Sequence, residues 1–481
     1  MVPKDNSIHN ALAGQYAAAA SINKLISIGL LVALVFTALS FGAVEAWSVA
    51  AFGLLILVLT LLWMVGCLVG REIRLVVPAT AWPLLALIVC GFLQSLGKTD
   101  QAGRLSAVSM DVEATRLTVE VAMVLLMAML LFANHYASVE ALSRLANFLV
   151  IFGLALAVLG LIQKFAWNGK YYWFIEPSVP PASPFGPFVN RNHFAGYLEM
   201  IVPIPLALIL VKAVRGELSL LYGFATMMMG VAVFMTLSRG GMLSLVAGLI
   251  FVVAFGIKPA MERVKGYGRS SWLPAVLPRI GAVALILLTI SIGVLWVGAD
   301  GVIDRATSVE MTGNTQASNV GKQTVFQSRG WIWRDTAAMI RANWLTGVGL
   351  GAYETAYPIY SLSDGRLIVS QAHNDYLQLV ADCGVVGGAI GFWFVVVLIR
   401  DVVVALRHRD EKMIGIALGC AGGIVAMLVH SLFDFNLQLP SNALLFLTLV
   451  AVLSNLSAAA ARDKFDRTLL SQDARFDAVS V

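Results

Sequence analysis

The residues able to do chemistry sit in four short stretches of this sequence. In Pro184-Phe-Gly-Pro-Phe-Val-Asn-Arg-Asn-His193, a Pro/Gly loop brings Arg191 and His193 to the start of an apolar run. An arginine beside a helix N-terminus makes a good anion site. The other reading is that Asn190 and Asn192 only cap the helix and Arg191 reaches out to water. Ser238-Arg239-Gly240-Gly241 is a turn of about four residues between two long apolar runs. It fixes Arg239 near a membrane surface, and its glycines let another group approach the backbone; alternatively Arg239 is an interface anchor. Ser328-Arg329-Gly-Trp-Ile-Trp-Arg334 places a cation where a helix is expected to begin, with Ser328 as a candidate N-cap. A cation is disfavoured there unless an anion joins it; the plain alternative is a solvated loop arginine. The last stretch, His373-Asn-Asp-Tyr-Leu-Gln-Leu-Val-Ala-Asp-Cys-Gly384, opens another apolar run. On an unbroken helix His373 and Gly384 share one face, about three turns apart. Gly384 and Gly388 then make a small-residue surface for close packing beneath the imidazole. Asp375 and Asp382 are candidates to orient His373, although neither faces it simply on a helix. His430, with Asp434, closes a neighbouring run on the same side and is a further candidate.

Other chemistries find no residues to carry them. There is no Asp-x-Asp metal pair, no Walker loop and no Gly-x-Ser-x-Gly elbow, so no metal and no cofactor is expected. Gly347-Val-Gly-Leu-Gly351 follows a helix rather than a strand and reads as a turn between two short helices. Tyr171-Tyr-Trp-Phe174 reads as a sugar-stacking platform or as part of an aromatic belt. Cys67, Cys90, Cys383 and Cys420 lie inside apolar segments without metal spacing and read as small hydrophobes.

Positioning these residues takes a membrane. Of the 481 residues 59% are apolar and 13% charged, against about 45–50% and about 25% in soluble chains. Mean hydropathy is +0.83. The apolar runs are unbroken over about 20 residues, which excludes a soluble enzyme, a disordered chain and a β-barrel. The formal charge of +5 reports topology rather than nucleic acid. The expected fold is an all-α polytopic membrane protein of about twelve transmembrane helices. They are expected near 22–40, 48–70, 76–97, 117–134, 144–164, 193–214, 218–237, 240–257, 275–297, 376–399, 413–432 and 440–460. With both termini inside, twenty of the 33 Lys and Arg residues fall on the cytoplasmic side, as the positive-inside rule requires. The organisation expected is a cytoplasmic N-terminus (1–21), helices one to nine (22–297), a large periplasmic loop with short helices (298–375), helices ten to twelve (376–460) and a disordered cytoplasmic tail (461–481). In the loop an amphipathic helix is expected near 329–343, with Trp331, Ile332, Met339 and Ile340 on its apolar side and Arg334, Asp335 and Arg341 on its polar side. Span centres are almost free of charge, which argues against an ion-coupled transporter.

In this order the stretches resemble those of the O-antigen ligase and Wzy-type polymerase superfamily of bacterial inner-membrane glycosyltransferases. The matching pieces are Thr236-Leu-Ser-Arg239-Gly-Gly, Ser328-Arg329-Gly-Trp-Ile-Trp, Trp344-Leu-Thr-Gly-Val-Gly-Leu-Gly351 and His373-x10-Gly384. They lie within about residues 185–450; the first five spans agree only in architecture. The resemblance implies a donor glycan on undecaprenyl diphosphate at the periplasmic face. It implies that Arg239 and Arg329 bind the diphosphate, with Arg191 joining them on an Asn-Arg-Asn-His version that looks like a subgroup feature. It implies His373 as general base and inversion at the anomeric centre without a metal. The acceptor is a glycan, a lipid A–core or a protein hydroxyl. Two other classes stay open at this level: a lipid-linked glycan flippase or other transporter, and a scaffold for polysaccharide assembly.

Overall fold

The computed structural model describes residues 6–73, 75–99, 105–176, 184–264, 325–362 and 368–479. Within them the chain is helical apart from one antiparallel ribbon, β1 (Gly97–Thr99) with β2 (Leu105–Ala107). The helices are α1 (Asn6–Leu39), α2 (Ala46–Gly70), α3 (Ala81–Ser95), α4 (Val112–His135), α5 (Val139–Phe165), α6 (Arg191–Ile201), α7 (Pro203–Leu210), α8 (Glu217–Met235), α9 (Arg239–Val264), α10 (Val325–Ala342), α11 (Tyr353–Tyr360), α12 (Asp375–Ala405), α13 (Glu411–His430) and α14 (Pro440–Val479). By length and composition, ten described segments are able to cross a membrane, with α6 and α7 together forming one of them. The chain is thus a multi-pass, all-α membrane protein. The expected span near 76–97 is α3, only 15 residues long, or about 22 Å against a hydrocarbon core of about 30 Å. The span expected near 275–297 and the loop portion 298–324 lie outside the described residues.

Polar caps start several helices where the sequence leaves the apolar pattern. Asp111, Ser138, Asn190, Asn374 and Asp410 each accept a hydrogen bond from a first-turn N–H, satisfying donors that a helix start leaves unpaired. The span expected over 193–214 is two helices, because Pro203 lacks an N–H and begins α7 anew. These two, α13 and the first part of α14 are buried on nearly every side and form the centre of the bundle. Backbones approach closely there: a Cβ at Gly423 would lie 2.1 Å from the Met200 carbonyl oxygen. Small residues serve this purpose where lipid supplies no hydrophobic drive.

Three features depart from the sequence reading. First, α14 continues as helix to Val479 where a disordered tail was expected. The run Ala458-Ala-Ala-Ala461 has the best helix propensity available and carries the span onward. Second, α12 is broken at Gly384, where φ is +62°. His373 precedes the N-cap Asn374 and has φ +49°, so no single helical face joins it to Gly384. Third, Gly384 and Gly388 do not form one packing surface. A Cβ on Gly388 would meet only Val380, at 3.6 Å, whereas one on Gly384 would lie 2.4 Å from the Leu345 carbonyl.

The break in α12 receives the turn between α10 and α11. Val385 N–H donates to the Trp344 carbonyl at 2.8 Å, Val348 N–H to Ala381 at 3.0 Å and Gly349 N–H to Asp382 at 2.9 Å. Gln94 from α3 bridges the join, donating to Thr346 and Asp382 carbonyls at 2.7 and 2.9 Å and accepting from Leu350 N–H at 2.9 Å. The glycine-rich stretch is therefore a structural plug. Met339, Val348, Tyr353, Ala356, Tyr357, Ala372 and Ala381 form a small core of their own above it.

Gly384→Ala places a side chain in a left-handed conformation and against a backbone carbonyl. It is expected to destabilise the protein by about 2 kcal/mol or more, read as a lower unfolding temperature in detergent. Gly388→Ala is expected to leave that temperature unchanged or raise it; equal losses for the two would contradict the assigned break.

Candidate active site

The start of α6, the α8–α9 turn, the start of α12 and the α13–α14 linker meet at one end of the bundle. The linker fixes them in place. Asp375 N–H donates to the Ser431 carbonyl at 2.9 Å, and Asn374 Nδ2 donates to the Leu432 carbonyl at 3.1 Å. Asp375 Oδ2 accepts from Ser431 Oγ at 2.8 Å and from Leu437 N–H at 3.3 Å. Asn442 on α14 reaches the His193 carbonyl on α6 at 3.1 Å.

At the centre of the linker is Asp434, whose side chain is 1% exposed. Its Oδ2 accepts from Asn192 Nδ2 at 2.6 Å and from Arg329 at 3.3 Å. Its Oδ1 meets His373 Nδ1 at 3.1 Å and takes the Phe435 N–H at 3.0 Å. Burial pushes this carboxyl up, but the His373 hydrogen bond and the charges of His193, His373 and Arg329 outweigh it and hold it well below the usual carboxylate range. The Phe435 ring stands edge-on to both His193 and His373, with centroids 4.8 and 4.9 Å away. His373, 31% exposed, therefore has Nδ1 committed to a buried carboxylate. Its Nε2 lies on the far side of the ring, where an imidazole held in this way can accept a proton.

Arg329 and His373 thus meet on one carboxylate. Arg191 begins α6, half-buried and beside Asn192. Arg239 begins α9 with its side chain exposed, and its neighbour Gly240 lies against the His430 ring. Gly384 and Gly388 are not part of this cluster; they lie along α12. Helix α10 begins at Val325, so Ser328 is inside it rather than at its N-cap. On that helix Trp331 is exposed, while Asp335 is buried and accepts from Tyr357 at 3.1 Å. A second core beside α10, which the local pattern does not reveal, reverses the expected sides of these two residues.

Neither Asp375 nor Asp382 orients His373. Asp375 serves the linker, and Asp382 accepts from Gly351 N–H at 3.0 Å. The sequence signal for Asp434 was its place four residues after His430, in a short connection between two spans. Asn192 and Glu199 gave no clear signal: one reads as a cap, the other as a charge near a span end. Glu199 is 0% exposed, and both its oxygens lie within 3.0 Å of His430 Nδ1. Buried side-chain atoms without a partner among the described residues occur on this part of the chain: Arg329 Nε, His193 Nε2, Asp375 Oδ1, His430 Nε2 and Asn436 Nδ2. Such groups are costly unless a ligand meets them.

The depressed Asp434 carboxyl makes a stability prediction. A carboxyl held below its unfolded value of about 3.9 contributes fully above about pH 5 and loses that contribution as pH falls through the folded value. Asp434→Ala leaves Arg329 and His373 without their counter-charge and is expected to cost about 3–5 kcal/mol near neutral pH. The gap in unfolding temperature between wild type and Asp434→Asn should narrow below about pH 4; a gap independent of pH would count against the carboxylate as the stabilising group.

Residues 224–392 match the family model described as O-Antigen ligase. No curated protein matches the chain. The matched stretch includes Arg239, Arg329 and His373 and ends before His430 and Asp434. Within those bounds the chain is similar to the O-antigen ligase family.

Proposed function

We propose that this protein is an inverting, metal-independent glycosyltransferase that moves a glycan from undecaprenyl diphosphate to an acceptor hydroxyl at the periplasmic face of the bacterial inner membrane. The observation that carries this reading is the pairing of His373 Nδ1 with buried Asp434, which also holds Arg329, next to a stretch that matches an O-antigen ligase model. The match over residues 224–392 supports glycosyl transfer of the ligase or polymerase type; the donor, the face and the residue roles belong to the proposal.

The geometry suits that reaction step by step. Asp434 keeps the Nδ1–H tautomer of His373, so Nε2 is the base. Nε2 takes the proton from the acceptor hydroxyl as its oxygen attacks the anomeric carbon. The bond from that carbon to the diphosphate oxygen breaks, and the diphosphate leaves with the electron pair. Attack opposite the leaving group inverts the centre. Arg239, Arg329 and Arg191 receive the charge that develops on the leaving oxygen, the work a metal does elsewhere. The acceptor is a glycan chain, a lipid A–core or a protein hydroxyl; these share the donor chemistry.

The test is transfer by the purified full chain in detergent, with an undecaprenyl diphosphate-linked oligosaccharide, a panel of acceptors and EDTA throughout. Wild type is expected to form an inverted linkage with EDTA present. His373→Ala is expected to lose about 100-fold or more in kcat, and Arg329→Ala to raise KM for the donor as well. Transfer by His373→Ala at the wild-type rate would remove the base from this account. Transfer that EDTA abolishes would remove the metal-free leaving-group chemistry.

A further inference from the structure

Three groups converge behind the arginines without an assigned use. The first is the N-terminus of α9, a 26-residue helix that opens on Arg239. The second is His430, whose ring presses on Gly240: a Cβ there would lie 3.1 Å from Nε2 and cover it. The third is Glu199, which engages His430 Nδ1 with both oxygens, at 2.9 and 3.0 Å. His430 and Glu199 side chains are 1% and 0% exposed.

A carboxylate this deeply buried is stable only against a cation or as the neutral acid. Its two oxygens straddle one imidazole N–H, which is the arrangement of carboxylate with imidazolium. In that charge state the Nε2 of His430 carries a proton. That N–H is buried and has no partner among the described residues. It faces a helix N-terminus, which already favours an anion.

We propose that His430, charged by Glu199, is a diphosphate-binding residue: with Arg239 and the α9 N-terminus it receives a phosphate oxygen of a lipid diphosphate. The inference rests on the transferase reading and adds to it a buried cation and its counter-ion. Glu199 is a positioning residue that acts through His430. Among the described residues, the other charged or titratable groups around the imidazole are His193 from α6, Arg329 from α10 and Asp434 from the linker.

The experiment measures binding to the full chain in detergent with EDTA, by competition and by ligand-induced rise in unfolding temperature. Its probes are farnesyl diphosphate, inorganic diphosphate and phosphatidylglycerol. Wild type is expected to prefer farnesyl diphosphate over phosphatidylglycerol, with inorganic diphosphate competing weakly. His430→Gln is expected to bind farnesyl diphosphate at least tenfold more weakly. Glu199→Gln keeps the shape but lets the imidazole become neutral; it should lose a similar factor at pH 8 and regain most of it at pH 5.5, a rescue that a merely structural residue would not show. If His430→Gln does not fold, the acid rescue of Glu199→Gln decides alone. Wild-type affinity in folded His430→Gln, or no acid rescue in Glu199→Gln, overturns the assignment while the transferase reading stands. Absence of diphosphate binding by wild type, or equal binding of phosphatidylglycerol, overturns it, and the first of these removes the donor site of the transferase reading too.

Discussion

A carboxylate that burial cannot leave alone organises this end of the molecule. Asp434 is out of reach of water, and an unpaired charge there would cost several kcal/mol. Its lone pairs are met by a guanidinium from α10, an imidazole from the approach to α12 and an amide from α6. Each donor comes from a different part of the chain, so satisfying one group fixes the relative placement of three segments. The membrane core beneath is held by apolar packing and close backbone approach, neither of which has a preferred orientation for side chains at the surface. Directional hydrogen bonds to a buried anion supply that orientation.

The helical frame was legible because hydrophobic length is a coarse quantity. The expected spans that fall among the described residues are helical, although that over 193–214 is two helices and that near 76–97 a helix of only 15 residues, and the caps Asn190, Asn374 and Asp410 stand where the apolar pattern begins. His373 and Arg329 were legible as polar groups at span and loop-helix starts. Their partner was harder to see, since Asp434 is 61 residues from His373 and 105 from Arg329. The nearer acids, Asp375 and Asp382, drew attention through sequence proximity and turned out to serve backbone N–H groups instead. Periodicity also misled at Gly384: a glycine spaced for a helical face is equally a glycine that can leave the helix, and only the loop lodged in the break decides between them.

Two of the non-glycine residues with left-handed backbones stand where the chemistry is proposed. His373 has a left-handed backbone, uncommon for a residue with a side chain, and so does Leu237 in the turn before Arg239. Both are followed at once by a residue whose side chain caps the next helix, Asn374 for α12 and Ser238 for α9. A sharp reversal directly before a cap points the preceding side chain back across the helix end instead of along the helix. The cap and the surrounding linker bonds hold the strained residue in that conformation.

The separate core above the break in α12 bears on how such proteins diversify. Its residues pack on one another around α10 and α11 and are distinct from the main apolar cluster of the bundle. Sequence drift there alters the surface next to His373 without requiring the spans to repack. Arg329, the plug of backbone bonds at Trp344–Gly349, Gln94 and the Thr355–Asp111 hydrogen bond are among the ties between this core and the spans. A fold divided in this way separates the part that must stay constant to live in lipid from a part free to evolve toward new molecules at its rim.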